Sequence, residues 1–170
     1  MARLLCGHFR EGWLDCEWRL KYTHVRVRPP NISAGEWQGE DLNGRSILIF
    51  AEQGLGDTIQ FVRYLPLLLQ RGARVSFFAP AKLIRLLRPL STQIDFISLV
   101  EDRKAFDFQC ALMSLPLWFG TDLASIPNQV PYLEPEEGLV GRWRSSLTMQ
   151  RHSITAEWPD SCAVIFARAG

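Results

Sequence analysis

At 170 residues the chain has room for one ordinary domain plus a short appendage. A hydrophobic content of 47%, a charged content of 22% and a formal net charge of +1 fit a soluble globular protein. They argue against bulk electrostatic attraction to nucleic acid or anionic lipid. Apolar runs all fall well short of the ~20 residues that span a bilayer. The patch around Leu4 and Leu5 ends too soon for a secretory leader. Cys6, Cys16, Cys110 and Cys162 are scattered, with neither disulfide-framework nor zinc-ligand spacing. Buried or half-buried free thiols in a reducing, cytoplasmic setting are the expectation.

Residues 1–20 read as helical, with Phe9, Trp13, Cys16 and Leu20 on one face and Gly7 dividing a short helix from a longer one. Residues 21–45 lose all period. Pro29, Pro30 and three glycines make them a linker or irregular wrap, anchored by Trp37. Lys21, Arg26 and Arg28 form a small basic cluster, read as solvated linker rather than as a phosphate patch.

From Ser46 the pattern alternates. Strands are predicted over 46–51, 73–79, 94–99 and 107–112, and helices over 57–71, 81–90 and 115–124. Strands joined by helical crossovers imply an α/β, Rossmann-like parallel sheet. Gly72 is placed to end the first helix, and Pro66 within it should kink the helix or tighten a turn. Glu136 to about Gln150 read as a helix with Trp143 and Leu147 on one face. Cys162 to Phe166 read as a lone strand in a diverged or truncated tail, 151–170.

The segment Ile47 to Phe61 runs from an apolar strand through Gly54-Leu55-Gly56 into Asp57, at the kind of junction where open α/β sheets place ligands. It is not a dinucleotide fingerprint, because Ile59 stands where the third glycine belongs. A phosphate-cradling loop would need a lysine, and a nucleophile elbow would need a serine between its glycines. What remains is a glycine turn that lets a ligand approach main-chain N–H groups, with one carboxylate beside it.

Asp57 is either a general base toward an attacking hydroxyl or an ordinary helix N-cap. The field at a helix N-terminus favours the ionised carboxylate and weakens it as a base unless burial offsets this. Gln53 and Thr58 either hydrogen-bond a sugar hydroxyl or serve turn geometry. Glu52 either pairs with Asp57 or makes a structural hydrogen bond, and Arg63 is either a phosphate partner or a solvent-facing side chain. His8, His24 and His152 show no ligand spacing, and no Asp-x-Asp motif points to a metal. Trp13, Trp18 and Trp37 read as core and docking contacts between the helical front end and the α/β part.

The segment Ala51-Glu52-Gln53-Gly54-Leu55-Gly56-Asp57-Thr58-Ile59-Gln60-Phe61-Val62-Arg63-Tyr64-Leu65-Pro66 closely resembles bacterial tetratricopeptide-repeat proteins that carry a C-terminal glycosyltransferase-like domain. Gly7 to Arg19 resembles the last repeat of such proteins. Ser114 to Thr121, Ile126-Pro127 and Val130 to Leu133 are also similar to the family, so the resemblance covers roughly residues 1–147.

The resemblance implies the first half of a GT-B fold, similar to that of lipopolysaccharide heptosyltransferases. It organises the chain as a repeat remnant (1–22), a linker (23–45), a Rossmann-like domain (46–150) and a tail (151–170). It further implies sugar transfer from a nucleotide-sugar donor to an acceptor hydroxyl, without metal or other cofactor. Asp57 in Gly56-Asp57 matches the family's base, and Gln53, Gly54, Leu55, Gly56 and Thr58 form the substrate-binding turn. GT-B enzymes bind the donor mainly in a second domain, of which only Cys162 to Gly170 resemble a beginning. The resemblance therefore implies a half that is inactive alone. The alternative is a non-catalytic scaffold that holds a protein partner through its helical front end.

Overall fold

The computed structural model describes residues 2–21, 32, 34–98 and 105–150, with backbone alone for 148–150. Arg26 and Arg28, residue 99 of the third predicted strand and the predicted tail strand lie outside the described residues. The chain divides into two compact units, 1–134 and 135–170.

The first unit opens with α1 (Ala2–Leu5) and α2 (Phe9–Cys16), followed by a 3-10 turn over Glu17–Lys21. Gly7 separates the two helices at φ +81°, a left-handed conformation that suits glycine. Gly12 of α2 lies so close to α1 that a Cβ would stand 2.5 Å from Leu4 Cδ2 and 3.0 Å from the Leu4 nitrogen. An exposed Gly→Ala in a helix stabilises by about 1 kcal/mol. Here overpacking costs about 1–3 kcal/mol and wins. Gly12→Ala is therefore expected to lower the urea midpoint and to speed amide exchange in α1.

Among the described residues five parallel strands follow: β1 (Gly35–Glu36), β2 (Ser46–Phe50), β3 (Arg74–Phe78), β4 (Asp95–Ile97) and β5 (Phe108–Ala111). Their order across the sheet is β1-β5-β2-β3-β4. The predicted α/β, Rossmann-like parallel sheet is thus what the chain forms. In register, Ile47 faces Val75 on one side and Phe108 on the other.

Successive strand residues point to opposite faces. Ile47, Ile49, Val75, Phe77 and Cys110 join one core with Leu65, Leu68, Leu83 and Leu87 from the helices. Leu48 and Phe50 are buried on the other face. Each such fully buried side chain stabilises by about 1.5–3 kcal/mol.

The strand-edge linker contained a surprise. Gly35 and Glu36 add β1 as an edge strand beside β5, where a linker was predicted. Gln109 holds that edge, its Nε2 donating to the Ala34 carbonyl at 3.0 Å and its own carbonyl accepting from the Trp37 N–H.

The predicted helix over 57–71 is three pieces: α3 (Leu55–Phe61), a 3-10 turn over Val62–Tyr64, and α4 (Leu65–Gln70). Pro66 sits in the first turn of α4, where its missing N–H costs nothing, so the tightened turn falls just before it. Gly72 ends α4 at φ +77° as predicted. The next predicted helix is α5 (Ala81–Leu87), with a 3-10 turn over Arg88–Leu90.

The helix predicted over 115–124 is shorter. A 3-10 turn over Leu112–Ser114 leads into α6 (Leu115–Trp118), and Gly120 at φ +61° closes it while the Thr121 N–H returns to the Pro116 carbonyl.

A chain of rings ties the front helices to this core. Trp13 meets Phe61 edge-on at 6.5 Å, Phe61 stacks near Tyr64 at 6.3 Å, and Tyr64, Phe119 and Trp37 continue the series at 6.0 and 5.9 Å. Trp13 Nε1 also donates to the Thr121 carbonyl at 2.8 Å. The docking role expected of Trp13 and Trp37 is met. Trp18 instead stays 59% exposed beneath the Lys21 ammonium.

Asp107 joins the starts of β2 and β5. Its carboxylate accepts from the Ser46 N–H at 2.8 Å, the Ser46 hydroxyl at 2.7 Å and Arg45 at 3.3 Å. The Ser46 donors, then Arg45, hold its carboxyl down at about 2. A depressed carboxyl contributes stability that is present above the ordinary range and lost as pH falls through the folded value. Asp107→Asn should therefore flatten the fall of Tm with acid between pH ~4 and pH ~2.

In the second unit, α7 (Glu137–Gln150) is the predicted terminal helix. Trp143 and Leu147 share one stripe four residues apart, and both are exposed.

Candidate functional site

The strand order reverses between β2 and β5: the chain runs outward through β3 and β4, then returns to the other side of β2. Open α/β sheets bind ligands in the crevice outside the carboxyl ends of strands at such a switch point. Here those ends are Ala51 to Gly54 and Leu112 to Ser114.

The turn after β2 is the most exposed part of this edge. Gln53, Gly54, Leu55 and Gly56 are all exposed, and Leu55 is 45% so. Gln53 holds φ +60°, a left-handed conformation that costs a non-glycine residue of order 1 kcal/mol or more.

Asp57 is not the N-cap. Gly54 is, and Asp57 stands at the third helical position, where its Oδ2 accepts from the Gly54 N–H at 3.0 Å. This is one half of a capping box, the glycine having no side chain to return the bond. The carboxylate is half-buried, and its cap bond is made by Oδ2. Thr58 is turned inward at 1% exposure, and its hydroxyl donates to the Gly54 carbonyl at 3.1 Å. It serves turn geometry.

Glu52 makes no pair with Asp57. It is 4% exposed and accepts both arms of Arg19, Nη2 at 2.6 Å and Nε at 3.2 Å, together with the Met113 N–H at 3.2 Å. The structural role predicted for it is correct, and the partner is one the sequence did not disclose.

Arg19 comes from the front 3-10 turn and is itself nearly buried. It also donates to Glu17 Oε1 at 2.6 Å, to the Cys16 carbonyl at 2.9 Å and to the Ser114 hydroxyl at 2.8 Å, which in turn donates to Glu17. Burial opposes the guanidinium charge, but Glu52 and Glu17 together outweigh it and hold Arg19 charged. Arg19 therefore bridges the ends of β2 and β5 across the switch point. Burial and the neighbouring carboxylates push the Cys110 thiol up, which favours the neutral thiol.

Arg63 is not a solvent-facing side chain. It lies half-buried, 4.4 Å from the Tyr132 ring centre, and donates to the carbonyls of Gln60 and Pro127. Tyr132 completes the clamp by donating to the Ile59 carbonyl at 3.1 Å. This fastens the 121–133 loop onto α3.

Among the described residues no group of three or more His, Cys, Asp or Glu is placed to hold a metal ion, and no helix is long and apolar enough to cross a membrane. An open groove of 630 Å³ lies at the opposite end of the sheet, lined by Ser46, Arg74, Ser76, Asp95 and Phe106. The convergent polar groups lie instead at the switch point.

No family model matches the chain, and no solved structure matches it. Protein FlbA of Caulobacter vibrioides is similar: 23% identical over 162 residues, covering 85% of this chain and 27% of FlbA. The chain thus spans little more than a quarter of that relative's length.

Proposed function

We propose that this chain holds the acceptor-side, Rossmann-like half of a GT-B-type glycosyltransferase of the cytoplasm, which turns over together with a donor-binding half. The observation that carries the reading is the exposed turn Gln53 to Gly56 at the switch point, with Asp57 at its inner end. In the intact assembly the acceptor hydroxyl oxygen attacks the anomeric carbon of a nucleotide sugar. The nucleoside diphosphate leaves with the bonding pair, and Asp57 Oδ1 takes the acceptor proton. Gln53 and the main chain of Gly54, Leu55 and Gly56 orient the acceptor. The Gly54 N–H on Oδ2 fixes the carboxylate's direction.

Calorimetric titration of the full chain with nucleotide sugars and with free monosaccharides, beside Asp57→Asn, tests this. Monosaccharide binding weakened in the variant, with no turnover, is the expected outcome. Turnover by the chain alone would overturn the half-enzyme reading, and a folded chain that binds neither ligand would overturn the sugar reading.

A second reading, a scaffold that holds a protein partner, is favoured by Leu5, Leu14 and Trp18 of the front end, exposed at 89%, 53% and 59%. Under it, Leu14→Ser with Trp18→Ser abolishes partner capture and leaves every sugar titration unchanged.

A further inference from the structure

We infer that the front segment, residues 2–21, is a lid latched over the switch-point crevice, with Arg19 as the plug that fills it. The inference goes beyond the sugar reading and holds whatever ligand the crevice takes. Three observations carry it. The guanidinium reaches both walls, Glu52 after β2 and Ser114 after β5, so it occupies the place where a ligand of this sheet would lie. The crevice is satisfied by the chain itself: among the described residues no buried side-chain nitrogen or oxygen lacks a partner. The grip is also polar, and replacing a buried ion network by apolar contact is often neutral or stabilising, so ions are a poor choice for a permanent staple. A charged plug, unlike an apolar one, can be exchanged for another donor of the same geometry.

The outer side of the segment faces solvent. Leu5, Leu14 and Trp18 are exposed. Its remaining hold on the sheet is centred on Trp13, through Thr121 and Phe61.

Hydrogen exchange of the full chain tests the lid. Glu17→Gln weakens the latch at its outer member, which is only partly buried, and leaves the Arg19–Glu52 pair in place. Exchange over residues 9–21 should rise about tenfold, the response to a coupling at the middle of the range for contacting residues, while β2 and β3 stay unchanged. Methylguanidinium chloride added to the unaltered chain at non-denaturing concentration should raise the same exchange saturably, and equal potassium chloride should not. Front segment and strands speeding up together would overturn the lid and make the network a staple of the whole fold. No change in either arm would also overturn it. Should Glu17→Gln fail to fold, the methylguanidinium arm decides alone.

Discussion

Glu52→Ala is expected to cost about 3–5 kcal/mol, the penalty for removing one partner of a buried ion network. The penalty is a large share of the roughly 5–15 kcal/mol by which domains of this size are stable, and release of the front segment, which returns Arg19 to water, sets its upper limit. The loss has two parts. Arg19 keeps its donors but loses a carboxylate that took two of them, and the Met113 N–H loses its acceptor. Glu17 cannot replace Glu52, because it already holds another guanidinium nitrogen and the Ser114 hydroxyl.

Urea unfolding followed by tryptophan fluorescence measures the effect. The double variant Arg19→Met, Glu52→Leu should recover much of it, since both charges leave together and apolar volume remains. A single-variant loss under ~1 kcal/mol would mean that water reaches the pair in solution, as it does for surface ion pairs.

The network explains why part of the site was illegible in the sequence. Glu52 and Ser114 lie 33 and 95 residues along the chain from Arg19. No periodicity encodes a contact of that kind. A lone arginine in a front-end helix carries the same local signal whether it is solvated or buried.

The turn was legible because its signals are local: an apolar strand, two glycines and an acid within a few residues. Even there the helix start was misplaced. An aspartate at a helix entrance is ordinarily read as the cap, yet Asp57 reaches back from the third helical position to a glycine that can take the cap without a side chain.

The central strands were legible for the same local reason, with β-rich runs bounded by Arg45, Gly72 and Pro80. β1 was not, because Gly35 and Glu36 have no strand propensity. Their conformation is dictated by β5 alongside, through main-chain pairing and the Gln109 side chain. The helix expected over 115–124 ran too long in prediction for a related reason. Nothing in the local apolar pattern announces that Gly120 will leave the helical region.

That edge also receives the second large prediction, Trp37→Ala, expected to cost about 3–5 kcal/mol. Trp37 is 1% exposed and directly follows β1, so its ring joins the least self-sufficient strand to the core. It packs edge-on against Phe119 at 5.9 Å, under Arg71. Its Nε1 donates to the Glu40 carbonyl at 2.9 Å, closing the loop that leads back into β2.

Trp37→Phe separates the two contributions. It keeps most of the apolar contact, so it should lose far less, with about 1 kcal/mol for the missing hydrogen bond. In the alanine variant the Gln109 carbonyl loses the restraint on its Trp37 N–H partner, and β1 should exchange its amides faster than β2 and β3 do. If Trp37→Ala instead leaves β1 as protected as before, main-chain pairing and Gln109 suffice to hold the edge. The indole would then be a filler of the core rather than its anchor.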